Sequence, residues 1–277
     1  MVKRIITSIV AICVLVPVLI FSGTPVLPIA VGLATAIGIF EMLKCLGMHK
    51  KYVLAVPLYA VALGMPSFIR YSDINVGAAC FIIAVAYLIV MFAAIVWSHG
   101  KLKFADGMAT FIVCAYIIAA MNSIIYVRDF SDYGKYLYLL IFLGAWITDT
   151  FAYFTGMLFG KHKLIEDVSP KKTIEGSIGG IFFCVVSFVV FGIIMDVFFD
   201  RSANILFLAI SAVAVSVVSQ IGDLIMSVIK RHYGIKDYGK LFPGHGGMLD
   251  RFDSILAVAL VMSAICMLAG IMNIQLL

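Results

Sequence analysis

The sequence predicts an all-α, polytopic integral membrane protein of about nine transmembrane helices, with its amino terminus in the cytoplasm. Of the 277 residues, 64% are hydrophobic and only 13% are charged, and the mean hydropathy is +1.13. Soluble domains are typically about 45–50% apolar and about 25% charged, so this chain needs lipid around it. The lengths of the apolar runs and the placement of the basic residues support the same fold class.

The apolar runs set the number of helices, because a spanning helix needs about 20 mostly apolar residues. Polar, Pro-containing or Gly-containing stretches separate nine such runs. In chain order, we expect helices near 5–22, 26–43, 52–69, 76–97, 105–127, 137–159, 177–195, 204–229 and 254–275. The first run follows Lys3 and Arg4 as a signal peptide would, but no small-residue cleavage site follows it. We therefore expect an uncleaved first helix.

The basic residues support this count and set the orientation. With the amino terminus inside and nine spans, all but four of the 20 Lys and Arg residues fall in cytoplasmic segments. The four in outer loops are Arg70, Arg128, Lys135 and Arg201. This asymmetry is typical of a correct topology. The basic residues form short clusters between apolar runs, which argues against binding to nucleic acid.

Two parts of the chain differ in their content of polar motifs. Residues 1–100 hold N-terminal transmembrane helices, and residues 101–277 hold the candidate catalytic helices. The two longest loops, 160–176 and 230–253, both fall on the cytoplasmic side and are rich in Gly, Lys and Pro. Long loops on a scaffold of short connections often carry function.

The six cysteines are scattered and form no C-x-x-C pair. We interpret them as small apolar residues, and not as a disulfide framework or a zinc site.

Two aspartates lie inside apolar runs, where a carboxylate is costly unless it faces a wet or paired interior. Asp149 is in the sixth run, on a face with Gly156 and Gly160, which we interpret as a helix-packing motif. Asp223 is in the eighth run, and other polar residues share its face at helical spacing. These are Ser216, Ser219, Gln220, Ser227 and Lys230. A structural hydrogen bond between helices, or a pair with a neighbouring Lys, is the alternative to a functional site.

A glycine-rich segment leads directly into the ninth predicted helix. Gly246 and Gly247 precede Asp250 and Asp253, which are three residues apart and so project from one face of a helical first turn. Glycines permit close backbone approach and expose amide N–H groups, as in anion-binding loops. Together with Asp223, these carboxylates predict a hard divalent cation such as Mg²⁺, which commonly takes one or two carboxylates plus phosphate oxygens.

The cations of the two long loops predict phosphate binding. Any single Lys could reflect membrane topology alone, but here the cations alternate with Ser, Thr and Gly. The candidates are Ser169, Lys171, Lys172, Thr173, Lys230, Arg231, Lys236, Lys240 and Arg251. His245 could be a base, a phosphate donor or a structural residue, and the sequence does not choose among these roles.

Two segments resemble a known family, the phosphatidate cytidylyltransferases, also called CDP-diacylglycerol synthases. In the first, the matching residues are Ser227, Lys230, Arg231, Lys236, Asp237, Gly239, Phe242, Pro243, His245, Gly246, Gly247, Asp250, Arg251 and Asp253. In the second, they are Asp149 to Tyr153, Gly156, Gly160, Lys161, Ser169 to Thr173, Glu175 and Gly176. The resemblance covers roughly residues 137–260, and the first hundred residues match only in hydropathy.

The resemblance implies a reaction in which CTP and phosphatidic acid give CDP-diacylglycerol and pyrophosphate. It also implies that Asp223, Asp250 and Asp253 bind Mg²⁺, with a second cation possible beside it, and that Lys230 and Arg251 are catalytic. The substrate-binding residues would be Asp149, Ser169, Lys171, Lys172, Thr173, Arg231, Lys236, His245, Gly246 and Gly247. The family further implies a homodimer, and the short termini and loops favour a bacterial plasma membrane with the active site facing the cytoplasm.

Two alternatives remain at this point. A CTP-dependent polyprenol or phytol kinase would share nucleotide handling but would transfer the γ-phosphoryl group to an alcohol. A transporter could use Asp149 and Asp223 as ion or proton relays. Transporters often contain inverted repeats and broken helices near the midplane, whereas no repeat is apparent here and the charged clusters lie at the edge of the predicted spans.

Overall fold

The computed structural model describes residues 2–166, 168–199, 202–274 and 276–277, which are mostly helical. The helices are α1 (Val2–Ile20), α2 (Val26–Cys45), α3 (Tyr52–Tyr71), α4 (Val76–Trp97), α5 (Phe104–Asp129), α6 (Gly134–Leu137), α7 (Leu139–Phe159), α8 (Ile174–Phe199), α9 (Ile205–His232) and α10 (Leu249–Met272). The strands are β1 (Lys163–Ile165) and β2 (Ser169–Thr173).

The predicted all-α, multi-pass fold is confirmed. Within the described residues, eight segments are long and apolar enough to cross a membrane, counting α6 and α7 as the single span Gly134–Phe159. The remaining predicted span, the first at 5–22, corresponds to α1, which is 19 residues long and contains Pro17. The orientation stays a prediction, and Arg201, one of its four outer-loop cations, lies outside the described residues.

Helix α4 shows why this fold needs lipid. Only Tyr87 and Met91 of its 22 residues are buried, while large apolar side chains such as Phe81, Val96 and Trp97 are more than two-thirds exposed. Water could not solvate a surface of this kind at reasonable cost. The helix therefore presents most of its surface to the hydrocarbon core.

The loop at 160–176 contains a short antiparallel hairpin that the sequence did not reveal. In β1 and β2, Lys163 pairs with Thr173 and Ile165 pairs with Ser169. Glu175, in the first turn of α8, holds the start of the hairpin by accepting the backbone N–H groups of Lys161 and His162 at 3.1 and 3.3 Å. The strands are too short for an alternating pattern to predict them.

The chain forms two compact units, and the first comprises Met1–Ile125 and Ile235–Arg251. In this unit α2 packs on α1 and α3, and α3 packs on α4. Helices α4 and α5 meet through Tyr87 and Phe111, whose rings stack at 6.0 Å. The division predicted near residue 100 falls inside this unit, but it was a division by motif content and stays a prediction.

The second unit comprises Tyr126–Gly234 and Phe252–Leu277, and it is built around α7, α8 and α9. Helices α7 and α8 lie very close together because glycines face each other. A Cβ atom on Gly176 would lie 2.6 Å from the carbonyl oxygen of Ala152 and 3.1 Å from the Cα atom of Gly156. The interpretation of Gly156 as a helix-packing residue is therefore confirmed, whereas Gly160, which follows the end of α7, lies against the Thr173 side chain of β2. Helices α7 and α9 are joined by the Thr148 hydroxyl, which donates to Ser216 at 3.0 Å.

Candidate active site

In the second unit, three predicted site aspartates come from three different helices. Asp149 lies on α7, Asp223 on α9 and Asp253 near the start of α10. Asp253 lies within electrostatic range of the other two carboxylates and of Lys230. Gly222 permits this approach, because a Cβ atom there would lie 3.0 Å from the backbone oxygen of Asp253. Three mostly apolar helices therefore each contribute one carboxylate to this unit.

Asp223 forms an ion pair with Lys172 of β2. The Lys172 Nζ atom lies 2.6 Å from Asp223 Oδ2, and the two side chains are 23% and 26% exposed. The hairpin thus carries a cation to a carboxylate within a membrane-spanning helix. Both residues were predicted from the sequence as site residues, but their pairing could not be predicted because they are 51 positions apart in the chain.

Lys230 is the most deeply placed of the predicted cations in this unit. It is 9% exposed, and its charge acts on the Asp253 carboxylate. A buried ammonium is costly unless a carboxylate or phosphate compensates it. Arg231, the next residue, and Lys171 are exposed, so they extend the positive charge to the surface of the unit.

The other predicted residues of the hairpin differ in their accessibility. Ser169 is half-buried at the start of β2. Thr173 has a structural role, because its hydroxyl oxygen accepts the Gly176 N–H at 3.1 Å and fills the space beside Gly156 and Gly160. Its side chain is therefore committed to the α7–α8 junction.

The polar stripe of α9 is buried within the protein, as its helical spacing predicted. Ser216, Ser219 and Gln220 are all less than 9% exposed. Gln220 donates to the Ser177 oxygen at 3.4 Å, whereas Ser219 Oγ is buried with no hydrogen-bond partner among the described residues. Ser216 and Gln220 of this stripe therefore form hydrogen bonds to other helices, whereas the Ser219 hydroxyl, one helical turn before Asp223, forms none among the described residues.

In the first unit, Asp250 organises the glycine-rich loop. It is 8% exposed, and its Oδ2 atom accepts the N–H groups of Tyr238 and Gly247 at 2.8 and 2.9 Å. Gly246 has a φ of +86°, and a Cβ atom there would lie 2.7 Å from Asp250 Oδ2. Only glycine tolerates both the dihedral angle and the close approach.

The same loop lines a cavity of about 540 Å³. Its walls contain three cations, Lys236, Lys240 and Arg251, and one carboxylate, Asp237. His245 also lines it, and the His245 Nδ1 atom is buried with no hydrogen-bond partner among the described residues. The size is within the range of small-molecule sites, and the excess of positive charge favours an anionic ligand.

The described residues contain no group of three or more His, Cys, Asp and Glu side chains placed to hold a metal ion by themselves. Asp223 and Asp253, which lie within electrostatic range of each other, are both hard oxygen donors. That pair fits Mg²⁺, which is commonly held by one or two carboxylates and completed by phosphate oxygens and water. Ligation by Asp250 would require its carboxylate to serve the loop and the cation at the same time.

Two residues that position the site were missed by the sequence analysis. The Ser254 hydroxyl donates to Asp149 Oδ2 at 2.9 Å, a contact that joins α10 to α7. Glu41 of α2 is 4% exposed and accepts the N–H groups of Met248 and Leu249. A carboxylate in the apolar run around Phe40 and Met42 was the available signal for Glu41, whereas nothing local marks Ser254.

Comparison with known proteins identifies the family of this chain. Residues 2–269 match the model of the cytidylyltransferase family. A phosphatidate cytidylyltransferase from Staphylococcus haemolyticus is 33% identical over 262 residues, which cover 92% of this chain and 95% of the relative. The Staphylococcus aureus protein of the same name is 34% identical over 259 residues, with the same two coverages. This chain therefore belongs to the cytidylyltransferase family.

Proposed function

We propose that this protein is a phosphatidate cytidylyltransferase, which transfers the cytidylyl group of CTP to phosphatidic acid. The observation that carries the proposal is the Asp223–Lys172 ion pair, at 2.6 Å, with Asp253 and the buried Lys230 in electrostatic range of each other. Carboxylates and cations brought together in membrane-spanning helices suit two anionic substrates, one of which is a lipid. The names of the Staphylococcus relatives point to the same substrates.

In the proposed reaction, a phosphate oxygen of phosphatidic acid forms a bond to the α-phosphorus of CTP. The bond from that phosphorus to the oxygen bridging the β-phosphate breaks, and pyrophosphate leaves with the bonding electrons. Both reactants are anions, so catalysis rests on positioning and on compensating charge. The attacking phosphate is already ionised near neutral pH, and we expect no essential general base.

The side chains of the second unit would serve the reacting phosphates. Asp223 and Asp253 would hold Mg²⁺, whereas Asp250, the third ligand predicted from the sequence, belongs to the first unit and stays a prediction. When bound, Mg²⁺ would supply charge compensation for the phosphate oxygens. Lys172 contacts Asp223 and Lys230 lies within electrostatic range of Asp253. Both would hold phosphate oxygens through charge-assisted hydrogen bonds.

The cavity of the first unit would bind an anionic part of a substrate. Lys236 and Arg251 would contact phosphate oxygens, Gly246 and Gly247 would let the backbone approach them closely, and His245 Nδ1 would gain a partner. Lys171 and Arg231, which are exposed in the second unit, would attract anions towards the protein.

We further propose that the reaction faces the cytoplasm, where CTP is available, in a bacterial plasma membrane. Sealed inverted vesicles should then consume added CTP, whereas right-side-out vesicles should not. We also propose a homodimer, in line with the family resemblance. The mass of the purified protein in detergent, after subtraction of the bound detergent, tests that proposal.

The acceptor lipid is the sharpest test of the proposed function. Purified protein in detergent with Mg²⁺ and CTP should convert phosphatidic acid to CDP-diacylglycerol, and it should leave phytol and polyprenol unchanged. An Asp223→Asn variant that is equally well folded should lose this activity. Phosphorylation of the alcohols with release of CDP would contradict the proposal and support a lipid kinase. No conversion of any acceptor by folded protein would contradict both and favour transport.

A further inference from the structure

One buried carboxylate has no place in the proposed reaction. Glu41 lies near the end of α2, among apolar residues that include Phe40, Met42 and Leu43, and it is only 4% exposed. A carboxylate in such a place costs several kcal/mol unless it is fully hydrogen-bonded. Its contacts therefore show what offsets that cost.

Both oxygens of Glu41 accept backbone hydrogen bonds from the far end of the chain. Oε1 accepts the Met248 N–H at 2.9 Å, and Oε2 accepts the Leu249 N–H at 2.9 Å. Leu249 is the first residue of α10. Glu41 thus caps this helix in place of a local Ser, Thr or Asp, and its negative charge complements the helix dipole.

The glycine-rich loop also closes around the same carboxylate. A Cβ atom added to either Gly239 or Gly247 would overlap Glu41 Oε1. The backbone at these two positions, near the two ends of the loop, therefore lies directly against the Glu41 side chain. A larger residue at either position would displace the Glu41 carboxylate from its present place.

A second carboxylate, Asp250, holds the loop from within by accepting the N–H groups of Tyr238 and Gly247. Together with the two N–H groups bound by Glu41, four backbone amides between Tyr238 and Leu249 are therefore bound by carboxylates. The Phe242 N–H donates to the Gly246 oxygen at 2.9 Å and closes the tip. The backbone that lines the cavity is accordingly fixed before any ligand binds.

We propose that Glu41 is a positioning residue, which fixes the glycine-rich loop in the conformation that receives the phosphates of CTP. The identity of the ligand rests on the proposed function, whereas the loop-holding role rests on the contacts alone. Glu41 is not a catalytic residue, because both its oxygens are engaged by backbone donors. The proposal gives the N-terminal helices a part in the site, since α2 supplies the carboxylate.

The test compares Glu41→Gln with Leu43→Ala. Glutamine keeps one acceptor oxygen but places an NH₂ group against a backbone N–H donor, so one hydrogen bond is lost. Leu43 is fully buried on the same helix, and its truncation removes apolar packing but no carboxylate and no hydrogen bond. Two quantities are measured for wild type and both variants: amide hydrogen exchange across residues 238–249, and the separate kinetic constants for CTP and phosphatidic acid.

We expect Glu41→Gln to accelerate exchange in this segment and to raise KM for CTP about tenfold, as loss of one hydrogen bond of ordinary strength would. KM for phosphatidic acid should change less than about twofold, because the loop held by Glu41 is proposed to receive CTP and not the lipid. Leu43→Ala should lower Tm while leaving the exchange of residues 238–249 and both KM values close to wild type, because a merely structural defect reduces the amount of active enzyme.

Unchanged exchange in Glu41→Gln would overturn the proposal. Equal increases in KM for CTP in both variants would overturn it as well, because the effect would then be general destabilisation. If wild-type protein fails to use CTP, the proposed function is wrong. The exchange comparison would still decide whether Glu41 holds the loop.

Discussion

Asp250 is both a predicted metal ligand and a hydrogen-bond acceptor for the glycine-rich loop. The sequence analysis selected it as a metal ligand, and the structure shows its Oδ2 atom accepting two backbone N–H groups of the glycine-rich loop. The two roles are separable, because an asparagine oxygen can accept hydrogen bonds but carries no charge for a cation.

Replacement of Asp250 by Asn is predicted to preserve the fold and to abolish most of the activity. The Asn oxygen can keep the hydrogen bonds to Tyr238 and Gly247, while the loss of charge should lower kcat by roughly 10²-fold or more, as for other electrostatic groups in active sites. Thermal unfolding and turnover in detergent check the two statements. Wild-type turnover would remove Asp250 from the reaction, and an unfolded variant would show that the loop needs the full charge.

The candidate site residues could be predicted from the sequence, but the residues that contact them could not. Asp149 and Asp223 stand out locally because a carboxylate in an apolar run is expensive. The partners Lys172 and Ser254 come from distant parts of the chain, so their pairing depends on helix packing that no local pattern encodes. Glu41 carried the same local signal as Asp149, but no nearby motif drew attention to it.

At the scale of single elements, the junction of α7 with α8 depends on glycines. Gly176 is buried, and a Cβ atom there would lie within 3.1 Å of two backbone atoms of α7. Backbone atoms cannot move aside as a flexible side chain can.

Replacement of Gly176 by Ala should therefore lower the free energy of unfolding by about 1–3 kcal/mol, the usual cost of overpacking. Gly64 of α3 is the matched control, because a Cβ atom there meets nothing within 4 Å. Replacement of Gly64 by Ala should be neutral or stabilising, by up to about 1 kcal/mol. Unfolding of the purified variants in mixed detergent measures both values. Equal stabilities would show that α7 and α8 can separate without penalty.

The start of α10 shows why element boundaries were harder to predict than element number. The apolar run predicted a helix from about residue 254, whereas α10 begins at Leu249. The charged residues Asp250, Arg251 and Asp253 hide the first turn from a hydropathy pattern, and its cap is Glu41, over 200 positions away. Asp250 lies in the first turn of α10, as its position predicted, whereas Asp253 lies beyond that turn.

At the scale of the whole molecule, the composition and the apolar runs were sufficient to predict the fold class, because lipid imposes a simple length requirement on every span. The two compact units could not be predicted, since the first joins residues near both ends of the chain. The hairpin in the 160–176 loop was also missed, because its strands have three and five residues.

The six cysteines are predicted to take no part in the reaction. Within the described residues all six are free; Cys114, Cys184 and Cys266 are buried, Cys45 is partly buried, and Cys13 and Cys80 are exposed. None lies among the candidate site residues, so replacement of all six by Ala should leave kcat and both KM values within about threefold of wild type, although the buried positions will cost some stability. A folded but inactive variant would show that a thiol takes part in the reaction.

The central claim is that the cytidylyl group, and not the γ-phosphoryl group, passes to a lipid phosphate. The most direct measurement uses purified protein, phosphatidic acid, Mg²⁺ and CTP labelled at either the α- or the γ-phosphate. We predict that the α-label enters the lipid and that the γ-label is released as pyrophosphate. Transfer of the γ-label to lipid, with the α-label left in CDP, would contradict the account.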